Sequence, residues 1–144
     1  MTDALTIDVL LSSNELEAAN RAEATALLFR SGYRVYRPEA DVDGEDLILQ
    51  HKPSGELRRT QLKPRPYVDR SRYENRGLWM LFPDPPYALG RDWFLILHDE
   101  LLHDWMMPHH ETLRRGQRHD YHYPTLTEGI REFLKPHRIV PCYV

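Results

Sequence analysis

The spacing of apolar and polar residues changes along the chain, and it first follows the period of an α-helix. Over residues 14–31 apolar side chains recur every three or four positions, as on one face of a helix. Ser12, Ser13 and Asn14 offer side-chain caps at its start, and Gly32 can end it. The pattern therefore predicts a helix over residues 14–31.

The spacing then shortens to a period of two, which is typical of β-strands. Residues 57–63 alternate, and the turn residues 53–55 separate them from an apolar run at 46–49, so the pair predicts a β-hairpin. Residues 92–98 form a continuous apolar run, which predicts a strand covered on both faces. Further strands are predicted at residues 33–37 and 78–82, the second closed by the proline-rich stretch 83–86.

The remaining segments are shorter or mostly polar. Residues 4–11 are apolar and β-branched enough for a strand, or else form an irregular entry to the core. Residues 99–106 predict a short helix that Pro108 ends, and Thr125 or Thr127 can cap a final helix. The chain is expected to form that helix at 125–134, a polar loop at 114–123 and an extended tail at 136–144.

Composition and length favour one globular domain across residues 1–144. Apolar residues make up 41% of the chain and charged residues 28%, and no apolar run is long enough to span a membrane. Cys142 is the only cysteine, so an internal disulfide is excluded, and a reducing cytoplasmic location is expected. The chain has no phosphate-binding glycine loop, which argues against nucleoside triphosphates as ligands.

The net charge of −3 is unevenly distributed. Residues 1–50 carry a net charge of −6 and residues 77–144 a net charge of −2, whereas residues 51–76 carry +5. A local basic segment of this kind suits a phosphate backbone, although a solvated basic loop explains it equally well. The candidate contacts to nucleic acid are Arg58, Arg59, Arg65, Arg70, Arg72 and Arg76.

Three polar residues of the predicted hairpin are expected to converge. Asp46 begins one strand, and Gln61 and Lys63 share a face of the other because alternate residues of a strand point the same way. Oxygen ligands beside an amine suit a hard divalent cation and a phosphate substrate. The alternative is a half-exposed hairpin with ordinary surface polar residues.

The order of these elements resembles the core of the PD-(D/E)xK nuclease superfamily, and most closely its small bacterial members with Gln in place of the last acid. The similarity covers about residues 14–65, on the order of a third of the chain. The residues that carry it are the helix end at Gly32-Tyr33, Pro38, Asp46-Leu47, Gly55 and Gln61-Leu62-Lys63.

This resemblance implies a three-layer α/β restriction-endonuclease-like fold, with a mixed central sheet between helices. It also implies hydrolysis of DNA phosphodiesters with Mg²⁺ or Mn²⁺. Asp46 and Gln61 would then be metal ligands, the Leu62 carbonyl a further one, and Lys63 would orient the attacking water.

The superfamily helix often supplies a glutamate to the metal, and this chain differs there. The corresponding position falls near Asn20 or Arg21, neither of which is an acid. Glu17 and Glu23 each lie three residues from Asn20, so either is a candidate ligand by a shift of about one turn.

Two other functions remain open at this point. The missing helix acid and Gln61 are compatible with a catalytically silent domain that binds nucleic acid or a protein partner. His119 and His122 suggest zinc by their spacing, but without a second pair or a nearby cysteine they are better explained as surface histidines. Small nuclease domains of this kind often need a homodimer to cut both DNA strands, but the sequence shows no self-complementary surface.

Overall fold

The computed structural model describes residues 10–39, 45–86 and 90–142, and its first element is the predicted N-terminal helix. This helix, α1, spans Ser13–Phe29. Ser12 caps it, because the Ser12 hydroxyl accepts the Glu15 N–H and the Glu15 carboxylate accepts the Ser12 N–H, at 3.2 and 3.0 Å. The segment predicted at 4–11 lies almost wholly outside the described residues.

The centre of the molecule is a five-stranded mixed sheet. Its strands are β1 (Tyr33–Tyr36), β2 (Leu47–His51), β3 (Leu57–Leu62), β5 (Trp79–Asp84) and β6 (Asp92–Leu97), and they are neighbours in that order. The predicted hairpin forms, since β2 and β3 pair antiparallel, with Leu47 opposite Thr60. β3 and β5 pair parallel, and the chain crosses over between them through residues 63–78. The predicted α/β class with a mixed central sheet is therefore confirmed.

Both faces of the sheet are covered, because β5 and β6 send alternate side chains into two separate cores. On one face Leu81 and Leu95 pack with Leu28 of α1. On the other, Met80 and Ile96 pack with the helices that follow β6. The continuous apolar pattern of β6 is explained by this burial on two sides.

The predicted boundary of β5 is wrong, because the strand continues through Pro83 to Asp84. Pairing of β3 with β5 ends at Leu62 and Leu81, whereas β5 still pairs with β6 at Pro83 and Trp93. Beyond Leu81 one side of β5 therefore has no neighbouring strand in the sheet, and a proline without an N–H is tolerated there.

Two regions predicted as loops contain a small second sheet. β4 (Tyr67–Asp69) pairs antiparallel with β7 (Asp120–His122), and a four-residue helix, α2 (Arg70–Tyr73), follows β4. The expectation of a polar loop over 114–123 is therefore wrong in part. We call this pair of strands the β4–β7 ribbon.

The helix after β6 also differs from its prediction, because it continues past Pro108. It begins as α3 (His98–Leu101), widens into a π-helical turn (Leu102–Met106) and ends as α4 (Met107–His109). The wider turn just before Pro108 relaxes the contact that its ring would make with the preceding turn of a regular α-helix.

The C-terminal segments complete the second core and reach the edge of the sheet. α5 (Glu111–Arg114) is followed after β7 by α6 (Glu128–Leu134). Thr127, one of the two predicted caps, is the N-cap of α6. A 3₁₀ turn (Lys135–His137) precedes a bridge between Arg138 and Phe94 of β6, so the expected extended tail partly joins the sheet.

Candidate active site

A cleft of about 370 Å³ lies where β2 begins and β3 ends, against the first turns of α1. Four of the polar residues singled out in the sequence line it together: Glu17, Asp46, Gln61 and Lys63. The other lining residues are Ser13, Leu16, Asn20, Leu62, Pro64, Arg65 and Pro86. The predicted convergence of a carboxylate, a carboxamide and an amine is therefore present.

Asp46 is held in place by both its backbone and its side chain. Its N–H donates to the Thr60 carbonyl at 2.8 Å, which extends the β2–β3 ladder by one residue. Its carboxylate Oδ2 accepts the Leu62 N–H at 3.0 Å. These two contacts fix the carboxylate beside the end of β3.

Gln61 is the least solvated polar side chain of the cleft. It is only 7% exposed, and its carbonyl oxygen Oε1 is buried without a hydrogen-bond partner among the described residues. A buried amide oxygen without a donor is unfavourable by about 1–3 kcal/mol. Such an atom is a natural ligand for a cation that enters the cleft.

Lys63 extends from the end of β3 over two aromatic rings. Its Nζ lies 4.9 Å from the ring centre of Tyr67 and 5.9 Å from that of Tyr73. Burial lowers the pKa of this amine and Arg72 lowers it further, although Asp46 and other acids act in the opposite direction. The cation is thus held partly out of water beside the cleft.

The structure separates the two candidate glutamates of α1. Glu17 lines the cleft and pairs loosely with Arg21 at 3.6 Å, with its own side chain 56% exposed. Glu23 does not line the cleft, because its carboxylate accepts hydrogen bonds from Arg91 and from the Trp93 indole N–H, the latter at 3.0 Å. Arg91 also binds the Asn20 side chain at 2.7 Å, so it fixes this part of α1 against β6.

The six candidate arginines fall into different environments. Arg65 lines the cleft, and Arg72 and Arg76 are exposed. Arg70 is used internally, since it binds Glu74 and the Leu113 carbonyl. Arg59 donates to the Arg76 carbonyl.

Arg58 lies apart from the cleft. It stacks at 4.2 Å over the Trp79 ring and donates to the Tyr33 hydroxyl at 2.9 Å, in a second cavity at the opposite end of the sheet. Of the six, Arg65 in the cleft and Arg72, which acts on Lys63 electrostatically, are the best placed for a ligand there.

Three comparisons with known proteins gave no match. No family model, curated protein or solved structure matches this chain. What the cleft can do therefore follows from its own residues. Across the residues that the structure describes, every helix is too short or too polar to cross a bilayer.

Sequence reasoning missed the contacts that hold the cleft together. Arg91 bridges Glu23 and Asn20 from a position about 70 residues away, and no local pattern predicts that pairing. The rings of Tyr67 and Tyr73 both lie beside Lys63, a contact that the sequence pattern did not predict. Their interleaving with arginine in the sequence was the available indication of an aromatic surface near this strand.

Proposed function

We propose that the chain is a metal-dependent DNA endonuclease with a three-layer restriction-endonuclease-like fold of the PD-(D/E)xK type. The observation that carries the proposal is the buried, unpartnered Gln61 Oε1 in the same cleft as Asp46 and Lys63. The alternative is a catalytically silent domain on the same scaffold that binds nucleic acid or a protein partner.

The donor set fits Mg²⁺ or Mn²⁺. Asp46 offers a carboxylate, Gln61 an amide oxygen, and Glu17 a carboxylate on the α1 side of the cleft. Hard cations of this kind take oxygen ligands and usually retain several waters, so few protein ligands suffice. A bound cation would polarise a phosphoryl oxygen and lower the pKa of a coordinated water.

Lys63 is the residue that can act on the attacking water. Its ammonium group can donate three hydrogen bonds, and it places a positive charge at the cleft, where the substrate phosphate would bind. The rings of Tyr67 and Tyr73 limit the directions in which Nζ can move. Orientation of the water and stabilisation of charge on the phosphate would both come from this fixed amine.

The DNA backbone would approach from the side of the crossover. Arg65 in the cleft and the exposed Arg72 near Lys63 supply positive charge there. Contacts of this type bind phosphates without reading the base sequence. Because one active site cleaves one DNA strand at a time, cleavage of both strands would require a homodimer or two successive binding events.

The test is Mg²⁺- or Mn²⁺-dependent cleavage of plasmid and branched DNA by the wild type and two variants. Asp46→Asn keeps an acceptor for the Leu62 N–H but removes the charge, and Lys63→Met keeps an apolar stem over the tyrosine rings. Each should reduce the cleavage rate on the order of 10²-fold or more, the usual effect of losing one preorganised charged group.

Matched controls are Asp104→Asn and Lys52→Met, which remove the same charges from exposed positions outside the cleft. Both should cleave like the wild type. Wild-type protein that binds DNA in a salt-dependent manner but does not cut it with either metal would favour the silent binding domain. Equal activity of Lys63→Met and wild type would refute the role given to Lys63.

A further inference from the structure

A second group of potential metal ligands lies on the β4–β7 ribbon. Asp69 and Asp120 are directly opposite each other in the antiparallel register, so their side chains lie on the same face. His119 immediately precedes Asp120. One ligand atom from each of Asp69, His119 and Asp120 lies within 4.8 Å of the other two.

Asp69 is a buried carboxylate that is bound by neutral donors. It is only 2% exposed, and it accepts hydrogen bonds from the Ser71 hydroxyl and the Arg72 N–H at 2.9 and 3.1 Å. These donors carry no charge, so they solvate a carboxylate without neutralising it.

The hydroxyl of Tyr67 lies between the two acids. It is 3.2 Å from Asp69 Oδ2 and 3.3 Å from Asp120 Oδ2. One proton can serve only one carboxylate at a time, and the other then faces an oxygen lone pair.

Other cations near the group are peripheral. Arg118 Nε lies 3.6 Å from Asp120 Oδ1, in a pair whose side chains are 49% and 36% exposed. An exposed pair of this kind is worth little because water screens it. On the Asp69 side, the Lys63 ammonium attracts the Asp69 carboxylate without a direct ion pair among the described residues.

We propose that Asp69, His119 and Asp120 form a binding site for a divalent transition metal, with Zn²⁺ as the best-fitting ion. Two carboxylate oxygens and one imidazole nitrogen match zinc sites in which three protein ligands leave one position for water. The imidazole disfavours Mg²⁺ and Ca²⁺, which take oxygen ligands. His119 is exposed, so a metal ion can reach the group from solvent on the side of this residue.

The site would act by joining distant parts of the chain. Asp69 precedes α2, and the other two ligands belong to a segment about 50 residues later. Tyr67, whose hydroxyl contacts both acids, has its ring under Lys63. A metal bound here would therefore fix the ribbon, and with it the ring on which Lys63 rests.

The proposed set of zinc ligands differs from the set suggested by histidine spacing in the sequence. His119 and His122 were considered together, but His122 does not belong to the group. It lies opposite Tyr67 and lines a small cavity with Lys63, Pro64 and Arg65. The acids that complete the group became recognisable only through the strand pairing.

The test is Zn²⁺ binding to the metal-stripped full-length chain by titration calorimetry, in an Asp46→Asn background that weakens binding in the cleft. We expect one Zn²⁺ per chain and a higher urea midpoint when Zn²⁺ is present, since a ligand of the folded state stabilises it. His119→Gln and Asp120→Asn should each weaken binding by at least about tenfold. Both alter solvent-accessible residues, so the fold should survive them.

The matched control is His122→Gln, which removes a histidine from the same strand outside the group, and it should bind Zn²⁺ like the background protein. Absence of saturable binding would overturn the proposal. So would binding that His119→Gln leaves unchanged, or an equal loss in His122→Gln. The result is independent of DNA cleavage, so this site and the proposed nuclease function can fail separately.

Discussion

Gln61 contributes a neutral oxygen where a carboxylate would give a metal a full negative charge. Asp46 and Glu17 already bring negative charge to the cleft, so an amide at residue 61 leaves the metal-free cleft less negative than a carboxylate would. The same choice weakens attraction for a cation, because an amide oxygen is only a dipole. If the cleft binds a cation as proposed, Gln61 would lower the metal affinity and favour the stability of the metal-free protein.

Gln61→Glu should separate these two effects. Without metal, the new buried charge beside Asp46 should lower the free energy of unfolding at neutral pH by about 1–3 kcal/mol. With Mg²⁺, the added charge should tighten binding and restore stability. Urea denaturation and calorimetric titration with and without Mg²⁺ measure both.

Gln61→Leu provides the comparison, since it removes the oxygen without adding charge. It should weaken metal binding and leave the metal-free protein at least as stable as the wild type. If Gln61→Glu binds Mg²⁺ no more tightly than Gln61→Leu, residue 61 is not a ligand.

The side chains at the cleft were predictable to the extent that they depend on local periodicity. Asp46, Gln61 and Lys63 follow from the two-residue period of one hairpin, and the structure brings them to one cleft. The choice between Glu17 and Glu23 was not predictable. It depends on Arg91, which lies just before β6 and binds the Glu23 carboxylate.

At the scale of elements, a chain of hydrogen bonds joins the helix after β6 to the segment after β7. The Trp105 indole N–H donates to the Tyr123 hydroxyl at 3.0 Å, and that hydroxyl lies 2.6 Å from His110 Nε2. His110 also stacks on Tyr121 at 3.8 Å. Because the hydroxyl accepts from Trp105, its proton is available for an unprotonated His110.

The hydrogen bonds around His110 predict a loss of stability in mild acid. Burial lowers the pKa of His110, and His109 and Arg118 lower it further. The unfolded chain therefore takes up the proton first as the pH falls below about 6.5, and the free energy of unfolding decreases from there until the folded histidine is also protonated. Urea denaturation between pH 7.5 and 5.5 should show the decrease.

His110→Gln keeps an acceptor for the Tyr123 hydroxyl but cannot titrate. Its stability should fall less over the same pH range than that of the wild type, and the difference isolates this residue from the other seven histidines. A variant with the full wild-type decrease would contradict the assignment.

The elements that could be predicted are those with several turns or alternations. α1 and the sheet strands were recognisable because each repeats its period within its own length. β4, β7 and α2 have only three or four residues each and are stabilised by partners far along the chain. Segments this short carry too little periodicity to be recognised before their partners are known.

At the scale of the whole molecule, the two cores share the same pair of strands. Leu28 represents the core on the α1 side and Ile130 the core on the other, and both are fully buried. Because β5 and β6 contribute to each, neither core can open without disturbing the other. The two cores are therefore expected to unfold together.

Leu28→Ala and Ile130→Ala should each lower the free energy of unfolding by about 2–5 kcal/mol, the usual effect of truncating a buried aliphatic side chain. Both should keep a single cooperative transition in calorimetry and in urea. Leu57→Ala is the matched control, since Leu57 is 62% exposed and its truncation should change stability little. Two resolved transitions in either core variant would show that the cores are independent.

The bridge from Arg138 to Phe94 bears on how the protein tolerates high concentration. β6 is an edge strand of the sheet. Its residues Trp93–Leu97 are apolar and uncharged, like segments that form intermolecular cross-β aggregates. The Ile139 N–H donates to the Trp93 carbonyl at 2.8 Å, so residues 138–139 occupy part of that open edge. Detachment of a few residues would thus expose a template for fibre growth while the rest of the fold stayed intact.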